Sequence, residues 1–142
     1  MKVFIVFLGL LIVNVNLMNF HSGLGRYIEL QNIFKMASEE CAAQAALLLD
    51  EEAYAQGRVV FDYEAGQRDG INYLTHICKN LGVEKGYDLS LLYEDDQHSY
   101  STCNINHLPR VVATISVDVG SLFDGSPLGF PVIQRSSCYE IK

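Results

Sequence analysis

The residues whose types and spacing first suggest chemistry are four cysteines, Cys41, Cys78, Cys103 and Cys138, and two histidines, His76 and His107. An even number of cysteines in a chain with an export-type N-terminus permits disulfides, in three connectivities. Helical periodicity places Cys41 and Cys78 on the facing stripes of two helices, and Cys103 and Cys138 fall on expected strands. Helix-to-helix and strand-to-strand pairing is therefore favoured, with buried free thiols as the alternative. As zinc ligands, Cys103-x-x-x-His107 and His76-x-Cys78 would supply four donors. Neither half has the spacing of a zinc site, and residues two apart on a helix point to different faces.

Nucleophilic catalysis needs a base and an orienting group beside a serine or cysteine. The chain has no G-x-S-x-G, no glycine-rich phosphate loop and no H-E-x-x-H. Glu94, Asp95 and Asp96 form an acidic run in an expected turn, where solvation is the simplest fate, and Glu39 and Glu40 point outward from a helix. The expectation is a protein that is not an enzyme, with no metal, no cofactor and no small-molecule substrate.

The elements that must position these residues start with one long stretch, residues 3–49. Residues 3–20 are apolar except for Gly9, Asn14, Asn16 and Asn19, and Lys2 is the one charged residue before them. As a helix they span about 27 Å, close to a bilayer's hydrocarbon thickness. A secretory signal would also fit the basic start and apolar run, but the flank NVNLMNFHSGLG offers no A-x-A cleavage pattern. An uncleaved membrane anchor over residues 1–20 is the favoured reading. A removed signal peptide is the alternative, and it would make the product secreted. Lys2 and the N-terminal amine favour a cytoplasmic N-terminus, so that a single-pass chain would carry its C-terminal domain, residues 21–142, outside the cell membrane.

After a short glycine-containing joint the run continues into an amphipathic helix. Tyr27, Leu30, Phe34, Ala37, Cys41, Ala45 and Leu48 make one helical stripe, with Glu29, Asn32, Glu39, Glu40 and Asp50 away from it. The bulky part of the stripe, residues 27–34, is the part best suited to subunit contacts. The small-residue part, through Ala37, Cys41 and Ala45, should accept a second helix. That helix is expected to start at an Asp62 N-cap, run to about Asn80 and stop at Gly82. Gly66 and Gly70 share its inner face and predict close contact with the alanine-rich half of the first helix. Residues 54–61, broken at Gly57, read as a loop with a short extended piece.

Beyond Gly86 the period becomes two. Leu89, Leu91 and Tyr93 predict a strand, residues 100–105 its hairpin partner, and Val111, Ala113, Ile115, Val117 and Val119 the clearest strand of all. A Gly/Pro-rich loop then leads to a last strand over residues 132–141. The expected fold class is α+β: a transmembrane helix continuing into an amphipathic helix, a second helix packed on it, and a small antiparallel β-meander. From residue 21 onward, nine Lys and Arg stand against seventeen Asp and Glu, a net charge of −8. That excludes nucleic acid as a natural partner, since neutralising phosphates requires a basic surface.

Leu30-Gln31, Ala37, Ala42-Ala43 and Ala45-Ala46 follow a membrane helix, a second helix ends at Asn80-Leu81-Gly82, and a strand carries Ile115, Val117 and Val119. Together these features resemble the minor pilins and pseudopilins of the bacterial Tad (tight adherence, Flp) pilus. The likeness covers residues 20–83 in detail and the remainder in layout. It departs from the family where a Gly-Ser and a Glu usually mark prepilin-peptidase processing. Here the nearest arrangement, Gly23 with Glu29, lies beyond the apolar run. What the resemblance implies is an anchored, accessory, non-enzymatic subunit whose partners are the membrane and other pilin-like or secretion-machinery subunits. The competing reading is a secreted, disulfide-stapled binding module.

Overall fold

A computed structural model describes residues 2–102, 104, 106–120 and 132–141. The whole N-terminal stretch is one unbroken helix, α1 (Lys2–Leu47), with no interruption at the glycine-containing joint. At 1.5 Å per residue it is roughly 70 Å long. Its N-terminal part is long and apolar enough to cross a membrane, and no residue of that apolar window is buried within the protein. Burial starts abruptly farther along, at Leu30, Phe34, Ala37, Ser38, Cys41, Ala42, Ala45 and Ala46. This is the middle of the stripe expected from the spacing, extended by the neighbouring Ser38, Ala42 and Ala46; Tyr27 and Leu48 at its two ends are half-buried, and Leu48 lies past the end of the helix.

The chain then makes a short helix, α2 (Glu51–Ala55), which sequence spacing had not suggested. Asp50 starts it by accepting hydrogen bonds from the Glu52 and Ala53 amides. A two-sided pinch closes this excursion: Asp50 N donates to Val60 O at 2.9 Å and Asp62 N to Leu48 O at 2.8 Å, flanking a Leu49–Phe61 bridge. The next helix, α3 (Tyr63–Leu81), has the expected ends. Asp62 accepts from Ala65 N, and Gly82 sits in the left-handed region with φ 78°. Val83 N then reaches back to Cys78 O and Gly82 N to Lys79 O, satisfying two carbonyls that the helix end would leave bare.

Three strands, β1 (Tyr87–Glu94), β2 (Arg110–Asp118) and β3 (Val132–Glu140), form an antiparallel meander in the order β1-β2-β3. The register pairs Leu89 with Ile115 and Ile115 with Arg135. One sheet face, carrying Leu89, Val111, Ala113, Ile115, Val117 and Ile133, is buried with Phe34, Cys41, Leu74 and Cys78 of the helices. Against α1, β3 adds two polar links. Ser38 and Ser137 share a 2.6 Å hydroxyl hydrogen bond, and Arg135 Nη2 donates to Gln31 Oε1. The α+β layout is as the sequence led one to expect.

Three expectations need correction. Residues 100–105 form no hairpin strand among the described positions, and β1 pairs directly with β2. The described residues in and around this segment are instead tied into turns by Asn104. Its amide donates to Ser101 O, its Oδ1 accepts from Leu108 N, and His107 N donates to Asn104 O with His107 at φ 50°. Side-chain-to-backbone bonds of this kind compete with a strand ladder for the same groups.

The second correction concerns the bulky half of the α1 stripe. Leu30 and Phe34 are fully buried in the protein's own core, so they are not free for subunit contacts. The third concerns the two glycines. Gly66 does face Ala45, whose Cβ lies 3.3 Å from where a Gly66 Cβ would be, and it also abuts the Tyr93 hydroxyl. Gly70, by contrast, opens towards β1: a Cβ there would lie 2.7 Å from Leu89 Cδ2. Its backbone alone meets α1, through Cys41 Sγ, 3.8 Å from the Gly70 carbonyl.

Candidate functional site

The expected site residues sort into three places: the apolar end of α1, the core between the helices, and a polar clasp at the end of the sheet where β1 stops and β2 starts. In the apolar end, the side chains of residues 3–8 and 10–13 all project from the protein. The polar interruptions look after themselves. Asn14 Nδ2 donates to Leu10 O at 3.1 Å and Asn16 Nδ2 to Ile12 O at 2.8 Å. Bonds to the carbonyl one turn back lower the cost of placing an amide among lipid tails.

In the core, Cys41 and Cys78 are buried free thiols. The helix-to-helix disulfide is corrected by register. Cys41 lies beside Gly70, and Cys78 is eight residues farther along α3, about 12 Å away along its axis, far beyond disulfide reach. Burial pushes both thiols up to about 11, with Glu40 contributing at Cys41, so neither is a thiolate at neutral pH. Cys138 is an exposed free thiol on β3. Cys103 lies outside the described residues, and so does the strand-to-strand pairing. His76 is exposed on α3 beside the buried Cys78, and His107 lies in the loop before β2, at the far end of the sheet from Gly82. Among the described residues, no three His, Cys, Asp or Glu side chains are grouped to hold a metal ion.

The clasp was not foreseen. Expected to be solvated, Glu94 and Asp95 are 3% and 1% exposed, and only Asp96 is on the surface. Each carboxylate of the run ties down a different part of the chain. Glu94 receives two bonds from Arg110, Nε to Oε2 at 2.9 Å and Nη2 to Oε1 at 3.0 Å, and one from Asn104 Nδ2 at 2.9 Å. The forked guanidinium contact holds its carboxyl down at about 2, assisted by Asn104 and Ser101 and outweighing the cost of burial.

Asp95 accepts from the amides of Phe61, Gln97 and His98 and, through a short bond, from the Tyr63 hydroxyl. Burial pushes its carboxyl up, but these donors prevail and its net shift is downward. Asp96 accepts from Val59 N at 2.8 Å and from the Tyr100 hydroxyl at 2.9 Å. Three consecutive residues thus lock the turn after β1 to the 59–63 segment, to the start of α3 and to β2.

His98 Nδ1 lies 2.9 Å from Tyr63 Oη and 3.4 Å from Asp95 Oδ1, which forms an Asp–Tyr–His constellation. Burial first, then the hydrogen bond and charge of Asp95, raise the Tyr63 hydroxyl far above its ordinary value. A tyrosine held that firmly protonated serves here as a donor that fastens Asp95. Beside it, a groove of about 750 Å³ runs past Leu49, Phe61 and Tyr63. Two carboxylates on its rim, Asp50 and Asp62, are already committed to capping α2 and α3. One signal could have pointed to the clasp: with β1 paired directly to β2, Glu94 falls opposite Arg110.

No family model, curated protein or solved structure matches the chain.

Proposed function

We propose that the protein is a membrane-anchored, pilin-like structural or assembly component of a bacterial pilus or secretion apparatus, without enzymatic activity. The observation that carries this reading is the bare apolar end of α1, continuous with the helix on which the folded head is built. An apolar helix of that length, with none of its side chains covered by the protein, is stable where lipid surrounds it. The order of long helix, second helix packed on it and antiparallel meander supports the Tad-type resemblance, and with it pilin-like or secretion-machinery subunits as partners. Lys2 favours insertion with the head outside the cytoplasmic membrane. Alkaline carbonate extraction of cells expressing the chain tests this. The intact polypeptide should stay in the membrane pellet, and release into the supernatant would overturn the anchor.

A second reading, a secreted binding module made by removing the N-terminal segment, is favoured by one observation. The first fully buried residue is Leu30, so cleavage near residue 20 would leave the core complete. N-terminal sequencing of the mature product separates the two readings.

A further inference from the structure

We propose that residues 22–25 of α1, Ser-Gly-Leu-Gly, form a swivel at the membrane surface, where the helix opens locally and lets the head reorient over a fixed anchor. This rests on the membrane-anchor reading. Two boundaries fix the position. Within lipid, opening a helix would strand backbone amides and carbonyls without partners, so no swivel can lie inside residues 3–20. Above, Leu30 and Phe34 are fully buried in the head, and Tyr27 packs partly buried against the same core. The head's hold then fades through half-buried Leu24 and Gly23 to exposed Ser22 and His21. The stretch between the two boundaries is where water can hydrate an opened turn.

Its composition is that of a weak helix. Two glycines and a serine fall within four residues, and each interior glycine lowers local helix stability about fivefold relative to alanine. In the folded head helical glycines have a packing reason, whereas Gly9, which also meets nothing within 4 Å, lies in the apolar end where lipid forbids opening. Gly66 makes room for the Tyr93 hydroxyl and Ala45, and Gly70 for Leu89. Gly25 has none, since a Cβ there would meet nothing within 4 Å. Its weakening of α1 is therefore not offset by any contact within the folded chain, and it falls where loosening frees the head. Gly and Ser together are also a recognised composition at helix bends.

Amide hydrogen exchange on the full chain, reconstituted in nanodiscs of phosphatidylethanolamine and phosphatidylglycerol, tests the proposal. Amides of residues 22–26 should exchange at least about 10-fold faster than those of residues 32–38. A Gly23→Ala, Gly25→Ala double variant should slow them by about 20-fold, leaving protection in β2 unchanged. Neck amides as protected as residues 32–38, or a double variant without effect, would overturn the swivel alone. A chain that fails to float with the discs would overturn the anchor, and the swivel with it.

Discussion

Glu94 offers the sharpest energetic test of the clasp. Its carboxyl is 4% exposed, sits in the fork of Arg110 and is held down from an ordinary 4.5 to about 2. A group whose folded value is depressed adds stability above its unfolded value and loses it as the pH falls through the folded one. For this shift the contribution is about 3 kcal/mol, fully present above about pH 5 and nearly gone by pH 2. In Glu94→Gln the charge is absent at every pH, and Arg110 keeps the carboxylate of Glu140, 4.0 Å away, and the Ser101 hydroxyl, at 3.0 Å. The variant should therefore be about 3 kcal/mol less stable than wild type at pH 7, in line with the cost of breaking a buried pair by removing one partner. Towards pH 2, where wild-type Glu94 is itself half protonated, the gap should nearly close. Asp95 is depressed in both proteins and so cancels from the difference. Urea unfolding of the full chain in neutral detergent micelles, followed by circular dichroism from pH 7 to pH 2, gives both curves. Parallel curves, with the same gap at both ends, would refute the assignment of a buried, ionised Glu94 to the clasp.

Other consequences follow from the packing and the thiols. Ala45→Phe places a ring where the space beside Gly66 is so small that even a Cβ on Gly66 would lie 3.3 Å from Ala45 Cβ, and should cost about 2–3 kcal/mol in the same unfolding assay. Unchanged stability there would mean that α1 and α3 are not in close contact. Gly66→Ala should cost more than Gly70→Ala, because its Cβ meets the end of a rigid, buried phenol whereas Gly70 meets a flexible Leu89 methyl. Phe34→Ala should cost about 3–5 kcal/mol, as expected for emptying a fully buried ring position. Alkylation followed by mass spectrometry should modify Cys138 in the native chain, and Cys41 and Cys78 only after denaturation without reductant. If Cys41 and Cys78 stay unmodified in denaturant, they are oxidised, and their assignment as free thiols is refuted.

What could be read from the sequence was what depends on local periodicity. The α1 stripe, the Asp62 and Gly82 ends of α3 and the alternation from Val111 to Val119 are each set by neighbours three, four or two residues apart. Contacts between distant segments were not legible. The fate of Glu94 depends on Arg110 lying opposite it in the sheet, and that of Asp95 on Phe61 and Tyr63, more than 30 residues earlier. A run of three acids carries no local sign that two of them are buried. Residues 100–105 had the composition of a strand, but Asn104 diverts the chain into turns through bonds that no period records. For Gly70 the face was right but its neighbours were only half foreseen: Cys41 of α1 reaches its carbonyl, while its open side faces Leu89 of β1, because a helix stripe says which side is buried without saying all that covers it.

An anchored protein requires that the apolar end of α1 stays attached and sits in a membrane. Intact-mass measurement of the chain recovered from alkaline-carbonate-washed membranes tests it most directly. With the anchor retained, the membrane-bound species of the expressed 142-residue chain has a mass of 15.9 kDa, residues 1–20 included. A soluble extracellular species lacking that segment would contradict it.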